Sequence, residues 1–200
     1  MIFVIMGKSA SGKDNIYKEL LKDRRLALEP LVIYTTRPMR AGEENGREYH
    51  FTDKAHLDEL RDEGRVIEER VYHVFVNGLP DDWYYFTADD GNIRFREKDY
   101  LIIGTLESYV KIREYFGKEN VVPLYIECRP ENRLIRSIER EKLQENGNYK
   151  ELCRRFLADE EDFSEEKIAE AGIPFRFSND GQLCDCIENI RRYIETAKRV

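Results

Sequence analysis

The 200-residue chain has little of several things that would place it quickly. Its longest wholly apolar run is Met1-Ile2-Phe3-Val4-Ile5-Met6, far short of the ~20 residues that cross a bilayer. No basic stretch leads into that run as it would in a secretory leader, so the expectation is a cytoplasmic chain without a membrane. The four cysteines (Cys128, Cys153, Cys184 and Cys186) show neither metal-ligand spacing nor the density of a disulfide framework, and reduced, structural thiols are expected. His50, His56 and His73 are scattered without partner spacing, which suits surface or packing roles. Repeats and low-complexity tracts are missing. So is a basic excess: 33 Lys and Arg against 40 Asp and Glu leave a net charge of −7, which argues against a nucleic-acid polymer held on a general basic face. Any anion site must be local.

Hydrophobic residues make up 41% of the chain, with 12 Tyr and 10 Phe, enough for a sizeable core despite 36% charged residues. Short apolar runs read as buried strands at Ile2–Met6, Leu31–Tyr34, Tyr100–Ile103 and Val121–Ile126, with a weaker one at Phe175–Ser178. Helical periods read at Asp14–Asp23, Leu106–Phe116, Pro130–Gln144, Tyr149–Ala171 and Leu183–Lys198. Apolar strands alternating with helices signal a parallel sheet covered on both faces. Residues 35–90 break the alternation with charged turns, aromatics and exposed-face strand patterns at Glu48–Thr52 and Val66–Tyr72, as an inserted lobe would.

The first strand runs into Gly7-Lys8-Ser9-Ala10-Ser11-Gly12-Lys13-Asp14 and then a helix. This is a phosphate loop in its required context: backbone N–H groups and a helix N-terminus cradle phosphate oxygens, and Lys13 reaches the terminal ones. The last position normally carries a hydroxyl for Mg²⁺ and here carries Asp14, which either serves the metal directly or through water, or is a helix-end charge. A second segment, Thr35-Thr36-Arg37-Pro38-Met39-Arg40-Ala41-Gly42-Glu43, continues to Tyr49-His50-Phe51; arginine forks and a phenol suit a phosphate monoester, although a solvated turn is the usual explanation for such a run taken alone. Arg133, Arg136 and Arg140 fall at i, i+3 and i+7 of one helix, and Arg154 and Arg155 open the next, as cations brought to a transferring phosphoryl group would. The alternative is a solvated face paired with Glu139, Glu141 and Glu151. Glu160, Glu161 and Asp162 read as a solvated helix face.

These segments recur in the order of the guanylate kinase family, which the chain resembles: a phosphate loop, TTRPMRAGE with YHF downstream, Val66-Ile67-Glu68, Tyr84-Tyr85-Phe86-Thr87 after an extra stretch at Val76–Trp83, and Ser178-Asn179-Asp180. The resemblance implies a P-loop three-layer α/β sandwich with a parallel sheet of about five strands, a core of residues 1–34 and 91–200, a helical lid at about 133–155, and a mixed α+β lobe of residues 35–90 for the nucleoside monophosphate. It implies ATP and Mg²⁺ as cofactors, with Gly7 to Asp14 and Asn179 on the ATP and Lys13, Arg136, Arg140 and Arg155 as catalytic cations. Arg37, Arg40, Tyr49, Glu68, Tyr85 and Thr87 would hold the acceptor, Glu68 reading guanine. The implied reaction is GMP or dGMP phosphorylation by a monomer or weak dimer. Ile33 stands where a guanine-reading serine is expected, and Gly104-Thr105-Leu106 where the family has D-x-D, leaving Glu107 as the nearby carboxylate. A kinase for another monophosphate or phosphorylated metabolite, or a non-catalytic interaction module, is the alternative.

Overall fold

The computed structural model describes residues 1–198 apart from Asn77, Phe95 and Asn146. Five strands, β1 (Ile2–Met6), β2 (Leu28–Pro30), β7 (Asp99–Ile103), β8 (Val121–Glu127) and β9 (Arg176–Ser178), form one parallel sheet in the order β2-β7-β1-β8-β9. Strand β1 lies at its centre, and all five of its residues are buried because helices cover both sides. Alternation along β1 separates the two layers. Ile2, Val4 and Met6 join Leu106, Tyr109, Ile112 and Phe116 of α3 (Leu106–Phe116), with Phe163 and Ile168. Phe3 and Ile5 join Ile16 and Leu20 of α1 (Lys13–Lys22) and Cys186, Ile187, Ile190 and Ile194 of α7 (Leu183–Ala197). The protein is therefore a three-layer P-loop α/β fold.

A second, four-stranded sheet is built between β2 and β7, in the order β4 (His50–Phe51), β3 (Tyr34–Thr35), β6 (Leu79–Ala88), β5 (Val66–Val76). Helix α2 (Lys54–Asp62), capped by Asp53 on the His56 N–H, packs Leu57 and Leu60 against Phe86 and Ala88 of one face. Period two then turns Tyr85 and Thr87 to the other face. Two further helices, α4 (Pro130–Lys142) and α5 (Tyr149–Asp162), follow β8, and a short α6 (Glu165–Glu170) precedes β9.

Two expected elements are corrected. The strand read at Leu31–Tyr34 is two: the core strand is Leu28–Pro30, while Tyr34–Thr35 belongs to the second sheet. Leu31 and Ile33 are apolar because they pack on the core as connecting chain, outside any strand. The helix read over Tyr149–Ala171 breaks at Phe163, and Ser164 starts α6 by accepting from the Lys167 N–H. The extra stretch at Val76–Trp83 is the meeting of β5 with β6, Val76 pairing with Leu79; Asn77 lies outside the described residues.

Candidate active site

The loop after β1 is closed by backbone geometry that few sequences tolerate. Gly12 sits at φ 92°, and a Cβ there would come 2.3 Å from the Asn179 side-chain nitrogen; Gly7 is at φ 153°, and its Cβ would meet the Ile126 carbonyl at 2.5 Å. Ala10, at φ 60°, adopts the left-handed region without being glycine, a strained conformation of the kind that clusters at ligand sites. Helix α1 starts at Lys13 with no side chain capping its first N–H groups, so its positive end stays open toward the loop. The Ser11 hydroxyl is buried without a hydrogen-bond partner.

One cleft of about 550 Å³ brings the loop together with the helical segment that follows β8: Ser9, Ala10, Gly12, Lys13 and Asp14 on one side, Arg136, Arg140 and Arg155 on the other. Burial is the largest influence on Lys13 and holds its ammonium below the ordinary lysine pKa, with Arg140 and Arg133 adding to the lowering and Asp14 and Asp159 opposing it. A desolvated cation beside other cations is poised for a polyanion. Arg136 donates to the Asn179 carbonyl at 2.9 Å, and Arg155 lies 3.3 Å from the Glu141 carboxylate. Asn179 is buried, and its amide nitrogen donates to the Ser11 carbonyl at 2.8 Å. It braces the loop from behind.

Arg133, grouped by periodicity with Arg136 and Arg140, has a different place. It is 1% exposed, donates to the Ser9 carbonyl at 3.2 Å and to Glu160 at 3.0 Å, and stacks over Phe156 at 4.6 Å. Glu160 is accordingly not a free solvated acid: it also pairs with Lys8 at 2.5 Å, while Asp159 accepts from the Ser9 N–H at 2.7 Å. Sequence reasoning missed Asp159 because its partner stands 150 residues away. Glu161 and Asp162 are exposed as expected, and Arg154 pairs with Glu151 on its own helix.

The acceptor candidates gather on the free face of the second sheet. Arg37, 3% exposed, donates to the Tyr85 hydroxyl at 3.1 Å and to both Glu43 oxygens at 2.8 and 3.1 Å, with the rings of Tyr49 and Phe51 each 5.5 Å from its guanidinium carbon. Tyr49 meets Tyr85 edge-on at 5.5 Å. Arg40 is exposed, and its backbone N–H donates to Glu43. Glu68 is buried opposite Thr87, whose hydroxyl donates to it at 2.7 Å. At the end of β7, Thr105 and Ser108 cap α3 reciprocally, and Glu107 is turned to Lys111 at 2.8 Å. That position is spent on starting a helix.

A central parallel sheet, a phosphate loop running into an uncapped helix, and arginines converging on its lysine define a P-loop nucleotide phosphotransferase. The Guanylate kinase family profile matches residues 1–76. Over 199 residues the chain is 29% identical to a guanylate kinase of Porphyromonas gingivalis, covering 96% of this chain and 95% of that one. It is 41% identical over 81 residues to a guanylate kinase of Oleidesulfovibrio alaskensis, a match spanning 40% of this chain and 38% of the relative. A crystal structure of guanylate kinase from Anaplasma phagocytophilum shares the fold at a TM-score of 0.60 and 18% identity, covering 98% of this chain and 85% of that one. Along nearly its whole length the chain is thus similar to guanylate kinases.

Proposed function

We propose that the chain transfers the terminal phosphoryl group of ATP to a nucleoside monophosphate, with GMP or dGMP as acceptor. The observation that carries this reading is the cleft in which Lys13 and Asp14 face Arg136, Arg140 and Arg155, a convergence of cations that suits a triphosphate. The loop fits such a ligand. Gly7 leaves no room for a side chain beside the Ile126 carbonyl and Gly12 none beside the Asn179 amide, and the helix end is open.

Gly7 to Lys13 would hold the ATP phosphates, and Asn179 would keep the loop in shape from behind. No group of three or more His, Cys, Asp or Glu forms a metal cage among the described residues. Mg²⁺ fits that pattern, since it is commonly held by one or two carboxylates, water and the nucleotide itself. Asp14 would be the carboxylate. When bound, the metal supplies charge neutralisation at the phosphates.

The acceptor phosphate would be gripped by Arg37, Arg40, Tyr49 and Tyr85, which fix it in line for attack. No general base is needed, because a phosphate monoester with a second pKa of about 6 is already largely dianionic at neutral pH. Charge developing on the transferred group is then met by Lys13 and the three arginines, Arg136, Arg140 and Arg155, carried on the helices that follow β8. Residues 35–90 would act as the acceptor lobe and 133–155 as the lid. A panel of nucleoside monophosphates assayed by ADP release, with titration of ATP·Mg²⁺ in parallel, tests the reading: binding without turnover of any monophosphate refutes it.

A further inference from the structure

The acceptor face carries a charged pair for which a guanine-reading carboxylate alone has no use. Glu68, Arg70 and Tyr72 share one face of β5, paired across to Thr87, Tyr85 and Trp83 of β6. Glu68 is 4% exposed; its Oε1 accepts from Thr87 at 2.7 Å, and its Oε2 lies 3.3 Å from Arg70 Nε. That Nε is sealed from solvent and makes no hydrogen bond, so the contact is charge against charge, while the Arg70 side chain as a whole stays 24% exposed. Arg70 also lines, with Tyr72, Thr105, Leu106, Glu107 and Lys111, a cavity of about 750 Å³ between β5 and α3, within the size range of small-ligand sites.

A carboxylate with both oxygens free matches two adjacent donors, such as the N1–H and 2-amino group of guanine. Here one oxygen is engaged by a hydroxyl and the other stands beside a guanidinium, so the pair offers one acceptor next to one donor. The complementary edge is a lactam, N–H beside C=O. Ile33, where a hydroxyl would otherwise serve the base carbonyl, is packed against the core and has no donor to give. Arg70 has.

We propose that Glu68 and Arg70 together read the lactam edge of the acceptor base, N–H to carboxylate and C=O to guanidinium. The site therefore takes 6-oxopurine monophosphates as a class, hypoxanthine as well as guanine. Adenine presents the reverse polarity, a lone pair on N1 and a donor at C6, which would face the buried carboxylate with a lone pair and the guanidinium with a donor. Hypoxanthine lacks only the 2-amino group and keeps the N1–H and C=O that this pair reads. The assignment rests on the kinase reading above.

The test is ADP release from saturating ATP with GMP, IMP and AMP, on the wild type, Arg70→Ala, Arg70→Gln and the neutral pair Glu68→Gln with Arg70→Gln. Expected in the wild type is a kcat/KM for IMP within about tenfold of that for GMP, and for AMP at least about a hundredfold lower. Arg70→Ala raises KM and lowers kcat/KM for GMP and IMP together by about tenfold or more, and Arg70→Gln, which keeps an N–H donor, by less. Removing Arg70 also leaves a buried carboxylate unmatched, so the neutral pair serves as the variant that folds: its melting temperature stays near wild type while its preference for GMP over AMP falls at least about tenfold. IMP more than about a hundredfold poorer than GMP, or relative rates for the three nucleotides that do not move in any Arg70 variant, overturns the assignment alone. Bound ATP with no turnover of any monophosphate overturns the kinase reading and this assignment with it.

Discussion

Lys13→Met separates what the phosphate loop does from how it folds. The substitution keeps the aliphatic stem and deletes the ammonium from a position where burial already disfavours charge and where Arg140 and Arg133 repel it. In the native state the pKa of Lys13 is lowered, so between that value and the ordinary ~10.4 the unfolded chain binds more protons than the native one. Stability from this group rises with pH across that window, and at neutral pH the charged lysine costs stability. Lys13→Met should therefore melt at or slightly above wild type, within about 2 °C below it at worst, and lose the alkaline gain that wild type shows. Its turnover should fall by roughly 10²–10³, about 2.7–4 kcal/mol of transition-state stabilisation, the cost typical of removing one preorganised charge or donor. The assays are ADP release and thermal melting from pH 7 to 10.5, each as the difference between variant and wild type. Activity above a tenth of wild type, or a melting point several degrees lower, would refute the placement of Lys13 as a strained functional cation.

Asp14→Asn should raise the Mg²⁺ concentration for half-maximal rate severalfold, and an unchanged metal dependence would reduce Asp14 to a helix-end charge. Arg133→Met deletes the bonds to Ser9 and Glu160; with Glu160 42% exposed, the loss is discounted to about 2–3 kcal/mol, or roughly 4–12 °C of melting temperature, and calorimetry checks it. In the folded protein at pH 8, the exposed Cys153 and Cys184 should react with a thiol reagent, while Cys128 and Cys186, each pushed up to about 11 chiefly by burial, should react only in denaturant. Because those two native values are raised, their contribution to stability is complete below the unfolded thiol value of ~8.5 and is lost as pH rises through about 11, so denaturant titration of a Cys128→Ala, Cys186→Ala variant should show a shallower alkaline decline than wild type.

What could be read from the amino-acid order was what is local and strongly periodic. The bounds of Ile2–Met6 and of Leu106–Phe116 were readable because one is a continuous apolar run and the other ends at Gly117, a left-handed residue that stops the helix. The edge strand Leu28–Pro30 escaped because it is three residues long, carries a proline and has one buried side chain. In the candidate site, the loop and the residues of the arginine-rich segment were visible as spacing, but spacing cannot tell Arg136, on the cleft, from Arg133, sealed behind it. Both lie on α4, and only the approach of α5 decides which is covered. Glu43 on Arg37 and Glu160 on Lys8 are pairings of tertiary structure, and the charge pattern that suggested solvated faces held no trace of them.

The position of β1 at the middle of the parallel sheet has a consequence for how the chain comes off the ribosome. Its two neighbours, β7 and β8, begin at Asp99 and Val121, so the first and most apolar strand is made before either edge can be covered. Synthesis at about 5–20 residues per second leaves Ile2 to Met6 without its partner strands for several seconds, while the segment that builds the second sheet, Tyr34 to Ala88, is completed first. A six-residue apolar stretch exposed in that interval is a template for aggregation, and long-range parallel pairing is slow to close. The nascent chain is thus most in need of shelter around the strand that leads into the phosphate loop, and truncation anywhere before about residue 127 leaves that strand without a complete sheet to sit in.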